Sequence, residues 1–280
     1  MTAESAHMPR LPERRTESFE ARLARFRTVN AWWIRGACYA LSLLLLFGAW
    51  QAFGSSFGVL FVPFTTTMRR LGAMLLDGPL LPGLLVSAKL YAVTLAINIV
   101  AGVTIGLALA RIKLFAAAFE RYIYIIYATP TISLVPFVSI MFGFEFGARV
   151  LVAVLISIFP ILLGTVEGAR SIPRQHLDVA AIFGSSEGQL WRDVIVPYVT
   201  PFAMTGIKQS IALSMVGTLV AEFFLNPDGV AAVLLQGTTI VDSGWVLAVT
   251  VFIAAISIVL VGIGELIERY LVRWRHTAVG

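Results

Sequence analysis

Long stretches without a charged side chain decide what this chain can become. Arg35 to Arg69 encloses 33 uncharged residues, Lys89 to Arg111 encloses 21, Arg121 to Glu145 has 23, Arg149 to Glu167 has 17 and Asp242 to Glu265 has 22. About 20 apolar residues in a helix cross the hydrocarbon core of a bilayer, so each interval is long enough for one transmembrane helix. A sixth crossing runs from Thr200 to Phe224, interrupted only by Lys208 and Glu222. The 13 uncharged residues from Gly229 to Val241 are too few to cross and predict a re-entrant or interfacial helix.

Composition supports an all-α integral membrane protein. Of 280 residues 58% are hydrophobic and 13% charged, whereas soluble domains average about 25% charged. The net charge of +5 comes from basic residues clustered beside apolar segments, as orientation signals are, and not from a patch that suits nucleic acid. A single cysteine, Cys38, excludes an internal disulfide and reads as a small buried hydrophobe. His7, His176 and His276 have no paired spacing for a metal or an acid–base relay. None of the three lysines, Lys89, Lys113 and Lys208, completes a G-x-x-x-x-G-K-[ST] phosphate loop, so the chain has no route of this kind to ATP hydrolysis. No catalytic residue, metal site or cofactor is expected.

Prolines, glycines and charges divide the chain. Residues 1–35 form a basic tail, either a helix on the inner leaflet with Phe19, Leu23, Phe26 and Trp33 on one side or a loosely ordered segment. Residues 36–62 form the first transmembrane helix, expected to remain as an anchor, and 63–83 an external surface helix and connector. Residues 84–275 form a core of five further spans, and 276–280 a short tail. Pro130 and Pro136 should kink the third span, at a pathway or at a packing bend. Gly102, Gly106 and Ala110 make a small-residue row for helix contact, and Asn98 should hydrogen-bond between helices. Six crossings put both ends on one side. The segments on that side hold 16 of the 21 lysines and arginines, which places both termini in the cytoplasm.

Residues 172–198 are the polar interruption of this pattern. Arg174, Asp178, Glu187, Arg192 and Asp193 together would resist insertion by more than ~12 kcal/mol, so the segment lies in water or against protein. Ala180, Ala181, Gly184 and Gly188 suggest a small-residue face on a helix. Ser186 and Gln189 read as a capping box opening a second short helix that ends near Pro197. Ser185 lies in the turn between them.

This interruption resembles the "EAA" loop of permease subunits of bacterial ATP-binding-cassette importers. Asp178 stands for the usual Glu and Val179 for the first Ala, Ala181 and Gly184 fit, and after nine residues Val194-Ile195-Val196-Pro197 matches the aliphatic triplet and Pro. From about Leu80 to Arg275 the order of motifs is similar to the nitrate, sulfonate and taurine importer group: Thr129-Pro130, Phe159 to Leu162, Gly168 to Pro173 and Val220 to Phe223. The resemblance implies a type I importer-like permease of six helices, acting as a homodimer in the bacterial inner membrane. It further implies a cytoplasmic ATPase dimer docked on the loop, and an extracytoplasmic binding protein that brings a small anion or a heterocyclic vitamin precursor. A stand-alone channel or ion-coupled carrier is the alternative, and needs ionisable groups inside the spans.

Few side chains qualify for a role in the pathway. Lys208 either attracts an anion or snorkels to the headgroups. Glu222 either meets a cation of the delivery protein or is a solvated helix-end carboxylate; the contacts of that protein are expected near Glu222, Asp228 and Gly229. Glu145 and Arg149, four apart, suit a helix-end pair.

Overall fold

Helix is the sole regular element among the described residues, the outcome expected where lipid cannot satisfy a backbone hydrogen bond. The computed structural model describes residues 17–54, 56, 61–76 and 78–272, with side chains from Trp33 onward except Arg35. Two units are present, residues 1–65 and 66–280.

In the first unit α1 runs without a break from Glu17 to Gly54, so its amino-terminal half is helix continuous with the first span. Its apolar stretch, Gly36–Gly54, is long enough to cross a bilayer. The span was expected to reach residue 62, but an aromatic knot turns the chain earlier. Trp50 packs on Phe61 and Phe64, and its Nε1 donates to the Val62 carbonyl at 3.1 Å. Cys38 is exposed on this helix and not buried as the sequence suggested, and its apolar neighbours Tyr39, Leu41, Leu43 and Leu44 are exposed with it.

The second unit takes in α2 (Phe64–Leu76) from Thr66 onward, helical as expected, and continues into α3 (Leu80–Arg111). α4 (Lys113–Ala128) stops at Thr129, whose hydroxyl donates to the Ile125 carbonyl at 2.8 Å. A 3-10 turn, Thr131–Leu134, leads into α5 (Val135–Phe142), and the two halves of this third span meet at 97°. Pro130 sits at the corner, whereas Pro136 occupies the first turn of α5, where its missing N–H costs nothing. The fourth span is likewise bent, by 45°, between α6 (Phe146–Ser157) and α7 (Phe159–Arg170).

α8 (Arg174–Ile182) and α9 (Glu187–Leu190) follow, then a π-helical turn, Trp191–Ile195, and α10 (Val196–Phe224). α11 (Gly229–Thr239) is the predicted short helix, and α12 (Ser243–Leu271) is the last span. Among the described residues four helices are long and apolar enough to cross a membrane, and up to six crossings result if each bent pair counts as one.

Two expectations fail in this region. Pro197 does not end a helix: Glu187 to Phe224 is one continuous stretch, because the wide π turn accommodates a residue with no N–H to donate. No single small-residue face runs from Ala180 to Gly188 either. Gly184 takes φ +66°, the left-handed conformation that closes α8, and Gly188 belongs to α9.

α3, α7 and α10 form the centre. Gly102 and Gly106 bring α3 onto α7, where an added Cβ at Gly102 would lie 2.9 Å from the Ile161 side chain. Asn98, fully buried, donates to the hydroxyls of Ser157 at 2.7 Å and Ser214 at 3.1 Å, binding α3, α6 and α10 as the sequence predicts. At the start of α12 the Asp242 carboxylate caps Trp245 N–H and pairs with Arg70 of α2. Burial raises the pKa of Asp242, but the Trp245 N–H bond and the Arg70 guanidinium outweigh it and hold the group below the usual carboxylate range.

Candidate functional site

The 172–198 segment is built as a knob clamped to the central helices. Ile195 is fully buried and packs with Ala169, Ile172, Val199 and Ala203, joined by Leu177 of α8 and Trp191 of the π turn. Tyr198 reaches back from α10 to donate to the Ser171 carbonyl at 3.2 Å. The capping box forms as predicted: the Ser186 hydroxyl accepts from Gln189 N–H, and the Gln189 amide oxygen accepts from Ser186 N–H at 2.8 Å.

The outer side of the knob is apolar and uncovered. Val179 is 51% exposed, Ile182 81% and Phe183 83%. Ala181, Gly184, Ser185 and Ser186 lie exposed beside them, while Ala180 faces inward. Asp178 is exposed as well. A ladder of rings leads inward from this surface: His176 lies 6.2 Å from Tyr198, and Tyr198 stacks at 6.2 Å on Phe202. Phe202 fills the space that a side chain at Gly168 would need, so a displacement of α8 has a packed route to the contact of α7 with α10. The motif marked the knob, but its ring contacts carry no periodicity that the sequence could show.

Lys208 has an intramolecular partner. Its Nζ stands 2.6 Å from Glu268 Oε2 of α12, both side chains about one quarter exposed (27% and 26%). It is thus neither free in the interior nor extended to solvent. Sixty residues separate the pair, which hid it from sequence reasoning.

Glu222 departs furthest from expectation. A solvated carboxylate was one reading, but the side chain is fully buried, because the first turn of α11 folds over it. Ser87 of α3 donates to its Oε1 at 2.7 Å, and Ala231 N–H to its Oε2 at 3.3 Å. The same Ser87 hydroxyl accepts from Val230 N–H at 2.9 Å. Gly229, at φ +58°, is also buried, and a Cβ there would strike Ser87 Oγ. Glu222 and Gly229 therefore offer no surface to an external protein. Asp228 retains one, with its side chain 42% exposed and paired at 3.3 Å with Arg149. That pair replaces the expected Glu145–Arg149 pair, since Arg149 turns across Phe146 toward α11.

Glu222→Ala should loosen α11. It strands the Ser87 hydroxyl and the Ala231 amide, at about 1–3 kcal/mol for each buried group left unpaired. A lower thermal midpoint in detergent and faster amide exchange across residues 229–239 are the expected results, with Glu222→Gln milder because it keeps an acceptor. Unchanged exchange in both variants would contradict the latch.

These features define a multi-pass helical membrane protein whose charged knob carries an uncovered apolar side, and comparison with known proteins agrees. Residues 98–276 match the family described as "Binding-protein-dependent transport system inner membrane component". The riboflavin transport system permease protein RibX of Chloroflexus aurantiacus is 34% identical over 147 residues, 52% of this chain and 55% of that protein. The formylaminopyrimidine transport permease protein ThiX of Halalkalibacterium halodurans is 25% identical over 185 residues, 65% of this chain and 74% of that protein. The putative aliphatic sulfonates transport permease protein SsuC of Bacillus subtilis is 24% identical over 252 residues, 89% and 90% of the two chains. The chain spans about half the length of the riboflavin relative and most of the sulfonate one.

The chain belongs to the binding-protein-dependent transport system inner membrane component family, the permeases of ATP-binding-cassette importers. By its description this is a family of inner membrane transport components that depend on a binding protein.

Proposed function

We propose that two copies of this chain form the translocation pathway of an importer in the bacterial inner membrane, with both termini and the 172–198 knob in the cytoplasm. An ATPase dimer docks on Val179, Ile182 and Phe183, and an extracytoplasmic protein delivers the solute at the opposite end, where Asp228 is exposed. The observation that carries the reading is that three large apolar side chains stand uncovered on a segment too charged for lipid. Such a surface calls for a protein cover, and the small exposed residues Ala181, Gly184 and Ser185 permit close approach. Relatives named for riboflavin, formylaminopyrimidine and aliphatic sulfonates support a small solute, an anion or a heterocyclic vitamin precursor.

The test is topological and biochemical. In a Cys38→Ala background, Ser185→Cys should react with a membrane-impermeant maleimide only after the membrane is opened. A tagged permease should carry a co-expressed ATPase through purification. Labelling from outside intact cells, or the absence of any bound ATPase, would overturn the proposal.

A further inference from the structure

The α7–α10 crossing carries a second feature, on the face that the ring ladder reaches. Backbones meet there across Gly164 and Gly206, and above them lies a trough of about 490 Å³. Its lining includes Tyr127 and Phe202, and its polar residues are Glu167, Thr205 and Gln209, all three exposed. The residues repeat at helical spacing, 160, 163, 164 and 167 on α7 and 202, 205, 206 and 209 on α10, so two helix faces were built toward one space. Hydrocarbon cannot solvate an unpaired carboxylate or a free amide, and this face therefore meets water or protein.

Its charge is one-sided. Among the described residues Glu167 has no cationic partner. Arg170, one turn on, is held by Glu120 through two bonds of 2.8 Å, and Lys208, next in sequence to Gln209, is held by Glu268. No lysine or arginine lines the trough.

We infer that this trough is where the permease handles its solute, and that it takes an uncharged or cationic aromatic heterocycle and rejects anions. The inference rests on the permease reading above and narrows its substrate class. Tyr127 and Phe202 give the trough an aromatic lining, the Gln209 amide can donate to and accept from a ring edge, the Thr205 hydroxyl, which itself donates to the Pro201 carbonyl at 3.1 Å, can accept, and Glu167 repels a sulfonate or nitrate while favouring a ring that carries positive charge.

The test uses the full permease–ATPase complex in lipid nanodiscs, with Cys38→Ala and Thr205→Cys. Cationic and anionic methanethiosulfonate reagents of similar size are applied, and each rate is divided by its rate with free 2-mercaptoethanol. The normalised cation-to-anion ratio should be about tenfold, from one unit charge a few ångströms away under partial salt screening. Glu167→Gln should bring it close to one. Riboflavin or cytosine should slow the modification at concentrations where ethanesulfonate does not. A ratio near one, a ratio unmoved by Glu167→Gln, no reaction with either reagent, or protection by ethanesulfonate equal to or greater than that by the rings would each overturn the inference. These rates do not depend on ATP use, so an ATPase that copurifies beside a ratio of one sinks the inference alone. A permease that binds no ATPase sinks the reading beneath it.

Discussion

Gly206→Val is expected to prevent recovery of a stable permease. An added Cβ at Gly206 would strike the Pro160 carbonyl oxygen and lie 2.8 Å from the Ile161 Cα, both backbone atoms that no rotamer change can move aside. Across the same crossing, a Cβ at Gly164 would stand 3.1 Å from the Phe202 carbonyl, so α10 cannot slide away without a new collision. Helices in lipid gain little from hydrophobic burial and depend on such close packing. The cost is placed at about 3 kcal/mol or more, the upper end for overpacking, because valine adds two methyls beyond a Cβ that already has no room. Size-exclusion profiles and thermal midpoints in detergent measure it, with Gly206→Ala intermediate. Gly262→Val on α12, where a Cβ meets open space, should leave both unchanged. A monodisperse Gly206→Val protein with the parental midpoint would show that the crossing is not this tight.

Phe183→Asp is expected to give a permease that folds and inserts yet moves no solute. Phe183 is 83% exposed, so its loss costs the isolated chain little, and the thermal midpoint should hold. At a docked interface the change removes about 1.5–3 kcal/mol of apolar burial and adds the desolvation of a carboxylate. Together these exceed about 3 kcal/mol, a weakening of ATPase binding on the order of 100-fold. ATPase yield on a tagged permease and ATP-driven uptake should fall together. Normal uptake by Phe183→Asp would place the ATPase elsewhere.

What the sequence revealed and what it hid divide along physical lines. Charge-free intervals located the long spans because lipid excludes charge over a fixed thickness, and the short helix before α12 was visible as an interval too brief to cross. The capping box at Ser186 and the Asn98 node were legible because each depends on residue type at one place. Glu222 was misread because its burial comes from α11, which returns onto it only after the Asn226-Pro227-Asp228 turn, and no local pattern announces that return. The Lys208–Glu268 and Arg149–Asp228 pairs escaped for the same reason, as both join distant segments. Pro197 misled in another way: a rule for ordinary helices does not anticipate the π turn that lets the helix pass through.

The unbroken helix from Glu187 to Phe224 has a mechanical consequence. Gly206 divides it into arms of about 28 and 27 Å, and of the glycines along the rod it lies closest to a neighbouring backbone. A beam seated near its midpoint behaves as an even seesaw: a sideways shift at the capped tip returns at the far tip with similar size and opposite sense. One end can then close while the other opens, without bending the shaft between them.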